Sequence, residues 1–159
     1  MAQTEFRTLN NLVAVFDSVA SRHLQINDFQ SGQDSEVEGS KALVYPALLV
    51  QPTAARIPKT DNGHSMFSVD FNVEIVDLVH KDNSNEFEVL SDGLEVLKDI
   101  VAEFQNHEYY QDNEFDIENS LSFTPIHDKY GSEVSGWEVT ITIQSPNRNT
   151  FCGAPMENL

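Results

Sequence analysis

The sequence predicts an α+β fold: an antiparallel sheet of about four strands with two helices packed on one face, in the order α-β-β-α-β-β. Three features carry this expectation. Two segments repeat apolar residues every three or four positions, two others alternate apolar and polar residues strictly, and turn-rich stretches separate them. The chain has 159 residues, the size of one domain, and such a domain buries enough surface to fold without metal or disulfide. We divide it into a single domain over residues 1–145 and a C-terminal extension or docking arm over 146–159.

The first helix is expected from Thr4 to Leu24, with Thr4 as N-cap. Phe6, Leu9, Leu12, Val13, Phe16, Val19, Ala20 and Leu24 form one apolar stripe, and His23 falls inside it as a partly buried, hydrogen-bonded residue. Gln30 to Ser40, QSGQDSEVEGS, has no periodicity and reads as a connector. ALVYPALLVQP then reads as the first strand. Pro46 has no N–H to donate to a ladder, which places this strand at an edge or at a bulge. TAARIPKTDNGHS follows as a long protruding loop carrying Arg56 and Lys59; it is either an ordinary solvated loop or a basic contact to an acidic neighbour.

The second strand is the clearest. Val69, Phe71, Val73 and Ile75 alternate with Ser68, Asp70, Asn72 and Glu74, so one face is buried and the other is wet or set against a polar partner. The second helix is expected to be capped at Asn83 or Ser84, with Phe87, Leu90, Leu94, Leu97, Ile100, Val101 and Phe104 as its stripe. Beyond HEYYQDNEFD, a third strand carries Ile117, Leu121 and Phe123 up to Pro125. In the fourth, Trp137, Val139, Ile141 and Ile143 alternate with Glu138, Thr140, Thr142 and Gln144. The arm, PNRNTFCGAPMENL, holds Phe151, Cys152 and Met156 in an irregular stretch, as expected of a strap that docks on another surface.

Charge and motifs exclude several function classes. Twenty-six acidic residues against nine scattered basic ones give a net charge of -17, which disfavours binding to nucleic acid or anionic membrane. The acidity serves either solubility or the lining of a passage through which a polyanion slides. No P-loop, dinucleotide fingerprint, zinc-protease helix or serine-hydrolase elbow is present, and the five histidines lack metal-ligand spacing. His80 and Asp82 straddle a turn without completing a site. The DNSNE run at Asp82 to Glu86 lacks the later glycine and glutamate of a calcium loop, and turn and cap chemistry accounts for it better. Cys152 has no cysteine to pair with and no basic neighbour to activate it. The expectation is therefore no enzyme, no catalytic residue, no cofactor and no metal. With no signal-peptide pattern and no apolar run long enough for a span, the expected setting is a reducing cytoplasm, away from membranes.

The order of elements, together with FSVDFNVEIVDLVHKDNSNEFEVLSDGLEVLKDI and GWEVTITIQSPNRNTFCGAP, resembles the small neck proteins of tailed bacteriophages, most of all the tail-terminator or tail-completion proteins. The resemblance covers about Phe6 to Pro155. It implies a structural virion protein, assembled in the host cytoplasm, that forms a homo-oligomeric ring, commonly sixfold. That ring would end the tail tube and join it to the head-side connector, with DNA passing through an acidic channel without specific binding. The elements expected to meet neighbours are Arg56, Lys59, Asp70, Asn72, Glu74, Phe151 and Met156. Two alternatives stand beside it: a head–tail connector or head-completion ring, and a small cytoplasmic adaptor or ligand-binding domain.

Overall fold

A computed structural model describes residues 8–32, 43–57, 66–106, 116–117, 120–127 and 133–147. Among these residues two helices, α1 (Leu9–Arg22) and α2 (Glu86–Asn106), accompany six strands: β1 (Asp28–Ser31), β2 (Ala47–Arg56), β3 (Met66–Leu78), β4 (Asp116–Ile117), β5 (Phe123–Ile126) and β6 (Val134–Pro146). The α+β class is as expected. The sheet, however, is mixed rather than purely antiparallel, and it has more strands than the four anticipated. Its order is β1-β2-β3-β6-β4, with β5 also pairing β6.

The departure comes from β1, which pairs in parallel with β2, Asp28 opposite Ala47 and Ser31 opposite Val50. Its first two residues lie just before the stretch expected to be a connector, and Gln30 and Ser31 lie within it. Four residues without alternation give no periodic signal, and a parallel neighbour needs a long return rather than a hairpin turn. At the opposite edge the third strand is split. β4 pairs the far end of β6, at Ile143 and Gln144, and β5 pairs its beginning, from Gly136 to Val139. Pro125 sits in β5, on the outer edge, where a missing N–H costs no ladder bond.

β2 starts at Ala47, after Pro46, and runs to Arg56, so Thr53 to Arg56 belong to a strand and not to a loop. The ladder to β3 slips between Pro52 and Ala54, so it is Pro52, rather than Pro46, that marks the irregularity. α1 begins after Thr8, whose side chain accepts from the Asn11 N–H at 3.3 Å. The expected cap at Thr4 lies outside the described residues. The helix closes at His23, leaving Leu24 98% exposed instead of buried in the stripe.

α2 begins at Glu86, two to three residues beyond the expected caps. Asn83 takes a left-handed conformation (φ 57°) in the preceding turn, and the Asn85 side chain ties that turn by accepting from the His80 N–H at 2.7 Å. Phe87 is 85% exposed, contrary to expectation, and Val89 and Val96 are buried in its stead. At about 100° per residue Phe87 points about 180° away from Val96.

Both helices cover the same face of the sheet. Leu12, Phe16, Val19 and Ala20 of α1 and Val96, Leu97, Ile100 and Phe104 of α2 share one core with Leu48 and Val50 of β2. The same core takes in Val69, Phe71, Val73 and Ile75 of β3 and Val139, Ile141 and Ile143 of β6. Phe16 sits at the junction, its ring centroid 5.1 Å from that of Phe71 and 4.7 Å from that of Phe104. Trp137 locks α2 to β6 by donating from Nε1 to the Leu90 carbonyl at 2.6 Å. No helix among the described residues is long and apolar enough to cross a membrane.

Candidate functional site

Because a strand alternates its side chains, packing the odd residues of β3 under the helices turns its even residues to the other face. Register then sets what each one meets. Arg56, Ser68 and Gln144 fall in one row, Asp70 and Thr142 in the next, then Gln51, Asn72 and Thr140, then Leu49, Glu74, Glu138 and Thr124. Among the described residues no helix covers this face, and it is polar along most of its length. At the end where β2 enters, Ala47, Leu49, Val76 and Val134 form a small second apolar cluster, covered by Leu43, Tyr45 and Ile126.

Two hydrogen-bonded groups organise the polar rows. Asp70 accepts from Arg56 Nη1 at 2.6 Å and from Thr142 Oγ1 at 2.7 Å, while the Thr53 hydroxyl donates to its carbonyl at 3.2 Å. The Arg56 bond first, and the Thr142 bond second, hold the Asp70 carboxyl below the usual carboxylate range. In the second group the Asn72 amide donates to Glu74 Oε1 at 2.9 Å and reaches Glu138 Oε2 at 3.4 Å. Glu74 and Glu138 stand directly opposite one another on neighbouring strands, an arrangement that repels unless a donor lies between them. Glu74 is only 4% exposed, so its carboxylate is held within the face rather than waving in solvent. Ser68, fully buried in the first row, has a hydroxyl with no hydrogen-bond partner among the described residues.

Of the expected contact residues, the structure brings Arg56, Asp70, Asn72 and Glu74 together on this face. Arg56 is not displayed on a basic loop; it ends β2 and is paired within the sheet. Lys59, Phe151 and Met156 lie outside the described residues. Glu138 and Thr142 join the site, and alternation alone marks them as polar-face residues. What alternation cannot give is the register that sets Glu138 against Glu74 and Thr142 against Asp70.

The arrangement sets three carboxylates, Asp70, Glu74 and Glu138, against one guanidinium, Arg56, in these rows. Elsewhere, Asp82 accepts from the Ser84 N–H at 3.1 Å and His80 Nδ1 lies 3.2 Å from Ser84 Oγ, which is turn chemistry. The pairs His23–Asp99 (3.2 Å) and His127–Glu86 (2.7 Å) each join an imidazole to one carboxylate at the surface. No cluster of three metal-ligating side chains occurs among the described residues. Neither a protein-family model nor a curated protein matches the chain.

Proposed function

We propose that this chain is a structural subunit of a phage neck, a tail-terminator protein that closes into a homo-oligomeric ring between tail tube and head connector. The observation that carries the reading is the one-sided sheet. Helices cover one face, and the other carries acid-rich polar rows, in which Glu74 and Thr142 are buried and Asp70, Asn72 and Glu138 half-buried, with side chains held by hydrogen bonds instead of being loosely solvated. Such a surface suits the wall of a channel that a polyanion must traverse, because fixed carboxylates repel phosphates and leave little to bind. The net charge of -17 acts in the same sense. Ring closure would use the sheet's rims, β1 on one side and the split β4 and β5 on the other, in a heterologous contact that returns on itself by rotation. The protein is read as a scaffold element without enzymatic activity or cofactor.

The test is a capping experiment. Tail-tube protein is polymerised with and without the purified chain and imaged by negative-stain electron microscopy. The reading expects a disc of extra density at one end of each tube and an arrest of tube growth. Tubes that grow unrestrained, with the chain remaining unbound, would contradict it.

A further inference from the structure

A cavity of about 240 Å³ opens on the helix-covered side at the pole where β3 ends and β6 begins. It lies just past the end of α1 at Arg22, between α2, the sheet and the segment that holds Leu24, Gln25 and Asn27. Ile75, Val89 and Val96 give it an apolar floor, Asp77 and Asp92 add two carboxylates, and Leu24, 98% exposed, stands on its rim. Burial, and secondarily the nearby charge of Asp92, pushes the Asp77 carboxyl above its ordinary range even though the Leu78 N–H donates to it at 2.8 Å. A partly buried carboxylate in this position gains from an incoming cation. Three further large apolar side chains are exposed on elements that meet at this pole: Val44 before β2, Leu78 at the end of β3 and Phe87 in the first turn of α2.

The C-terminal arm leaves from the other pole, since β6 runs from Gly136, on the cavity wall, to Pro146 at its far end. From Gly136 to Asn147 the backbone covers roughly 36 Å at about 3.3 Å per residue. The arm carries Arg148, the only basic residue after Lys129, followed three positions later by Phe151. Even fully extended, the chain from Asn147 to Phe151 spans at most about 14 Å. Neither Arg148 nor Phe151 can therefore reach the cavity of its own subunit, whatever path the arm takes.

We propose that this cavity receives the Arg148 to Phe151 stretch of a second copy of the chain, with Phe151 on the apolar floor and Arg148 against Asp77 and Asp92. The contact joins one pole of a subunit to the opposite pole of the next, which makes it heterologous and able to close a ring. It rests on the self-assembly reading above and adds to it the element that holds neighbours together. Charge complementarity matters here because two bodies of the same strong negative charge need a local cation at their contact.

Cys152, next to Phe151 and the only cysteine of the chain, supplies a test. In full-length protein, Leu24→Cys places a second thiol on the exposed rim of the cavity, where folding is not at stake. A short bismaleimide linker is expected to join this introduced thiol of one chain to Cys152 of another, giving dimers and higher species on denaturing gels. The unsubstituted chain, with Cys152 alone, sets the baseline. Adding Arg148→Glu to the Leu24→Cys chain should lower the linked yield about tenfold, the scale of reversing one complementary charge at a contact. Linked yield no higher than baseline, yield indifferent to Arg148→Glu, or a product linked within one chain would overturn the proposal. Sedimentation of the unmodified chain separates the two ideas. Rings without cross-links refute the arm contact alone, whereas a chain that is monomeric both by itself and beside tail tubes refutes the ring as well.

Discussion

Phe16 is the side chain on which the one-sided architecture turns. It is fully buried and touches both the sheet, through Phe71, and α2, through Phe104. Truncation by Phe16→Ala removes the apolar surface and leaves a cavity, a change that costs about 3–5 kcal/mol in well-packed cores. Two ring contacts, each contributing roughly 0.5–1.5 kcal/mol beyond burial, place this site toward the upper end of that range. A loss of about 4 kcal/mol is a large part of the roughly 5–15 kcal/mol that stabilises a domain. It corresponds to a fall in Tm of roughly 8–16 °C for a chain of this size. Urea unfolding followed by Trp137 fluorescence is the assay, because the indole is bonded to the α2 backbone and reports the docking of that helix on β6. The urea midpoint should fall while the slope stays that of the parent. Ser18→Ala, on the exposed side of α1, should stay within about 0.5 kcal/mol. A loss below about 1 kcal/mol for Phe16→Ala would refute the packing of α1 between sheet and α2, and with it the placement of both helices on one face.

Two glycines should respond oppositely to alanine. A Cβ at Gly136 would lie 1.8 Å from the Ile75 carbonyl oxygen, so Gly136→Ala should cost about 3 kcal/mol or prevent folding. At Gly93 the nearest atoms are side-chain carbons at 3.4 Å, and alanine there should be neutral or stabilise α2 by up to about 1 kcal/mol, read by thermal melts. Asp70 has a lowered folded pKa, so its contribution is present above the unfolded value near 3.8 and is lost as pH falls through the folded one. Asp70→Asn should therefore cost about 1 kcal/mol at pH 7, a modest figure because half of the Arg56 side chain is exposed, and the difference should vanish in acid. Asp77 has the opposite sign. Its folded pKa is raised, so the charged form penalises the fold at neutral pH, and Asp77→Asn should raise Tm at pH 7. That gain should shrink as pH falls through the raised folded pKa and be gone below about 3.8, the ordinary carboxylate value.

The elements with long, regular periodicity were legible in the sequence. The alternation of Val69 to Ile75 with Ser68 to Glu74 correctly divides β3 into a helix face and a polar face, and the same holds for Val139 to Ile143 in β6. Fine placement was less legible. Phe87 satisfies the apolar spacing of α2, yet the packed face of that helix is turned toward Val89, Val96 and Ile100, because only tertiary packing chooses among neighbouring rows. β1 carries no mark in the sequence because pairing with β2, rather than any pattern in DFQS, makes it a strand. The prolines and polar residues around Arg56 read as a loop, whereas backbone pairing of Arg56 with Ser68 extends β2 and its side chain bonds Asp70. At the candidate site, the sequence named Asp70, Asn72 and Glu74 but could not name their partners, since Glu138 lies 64 positions from Glu74 and only register brings them level.

The mass of the full-length chain in solution, measured alone and beside tail tubes by sedimentation or native mass spectrometry, bears most directly on the assembly claim. A closed ring predicts a discrete species at an integral multiple of the 17.9 kDa chain, near six copies for a tail terminator. A single peak at one chain mass under both conditions would contradict it.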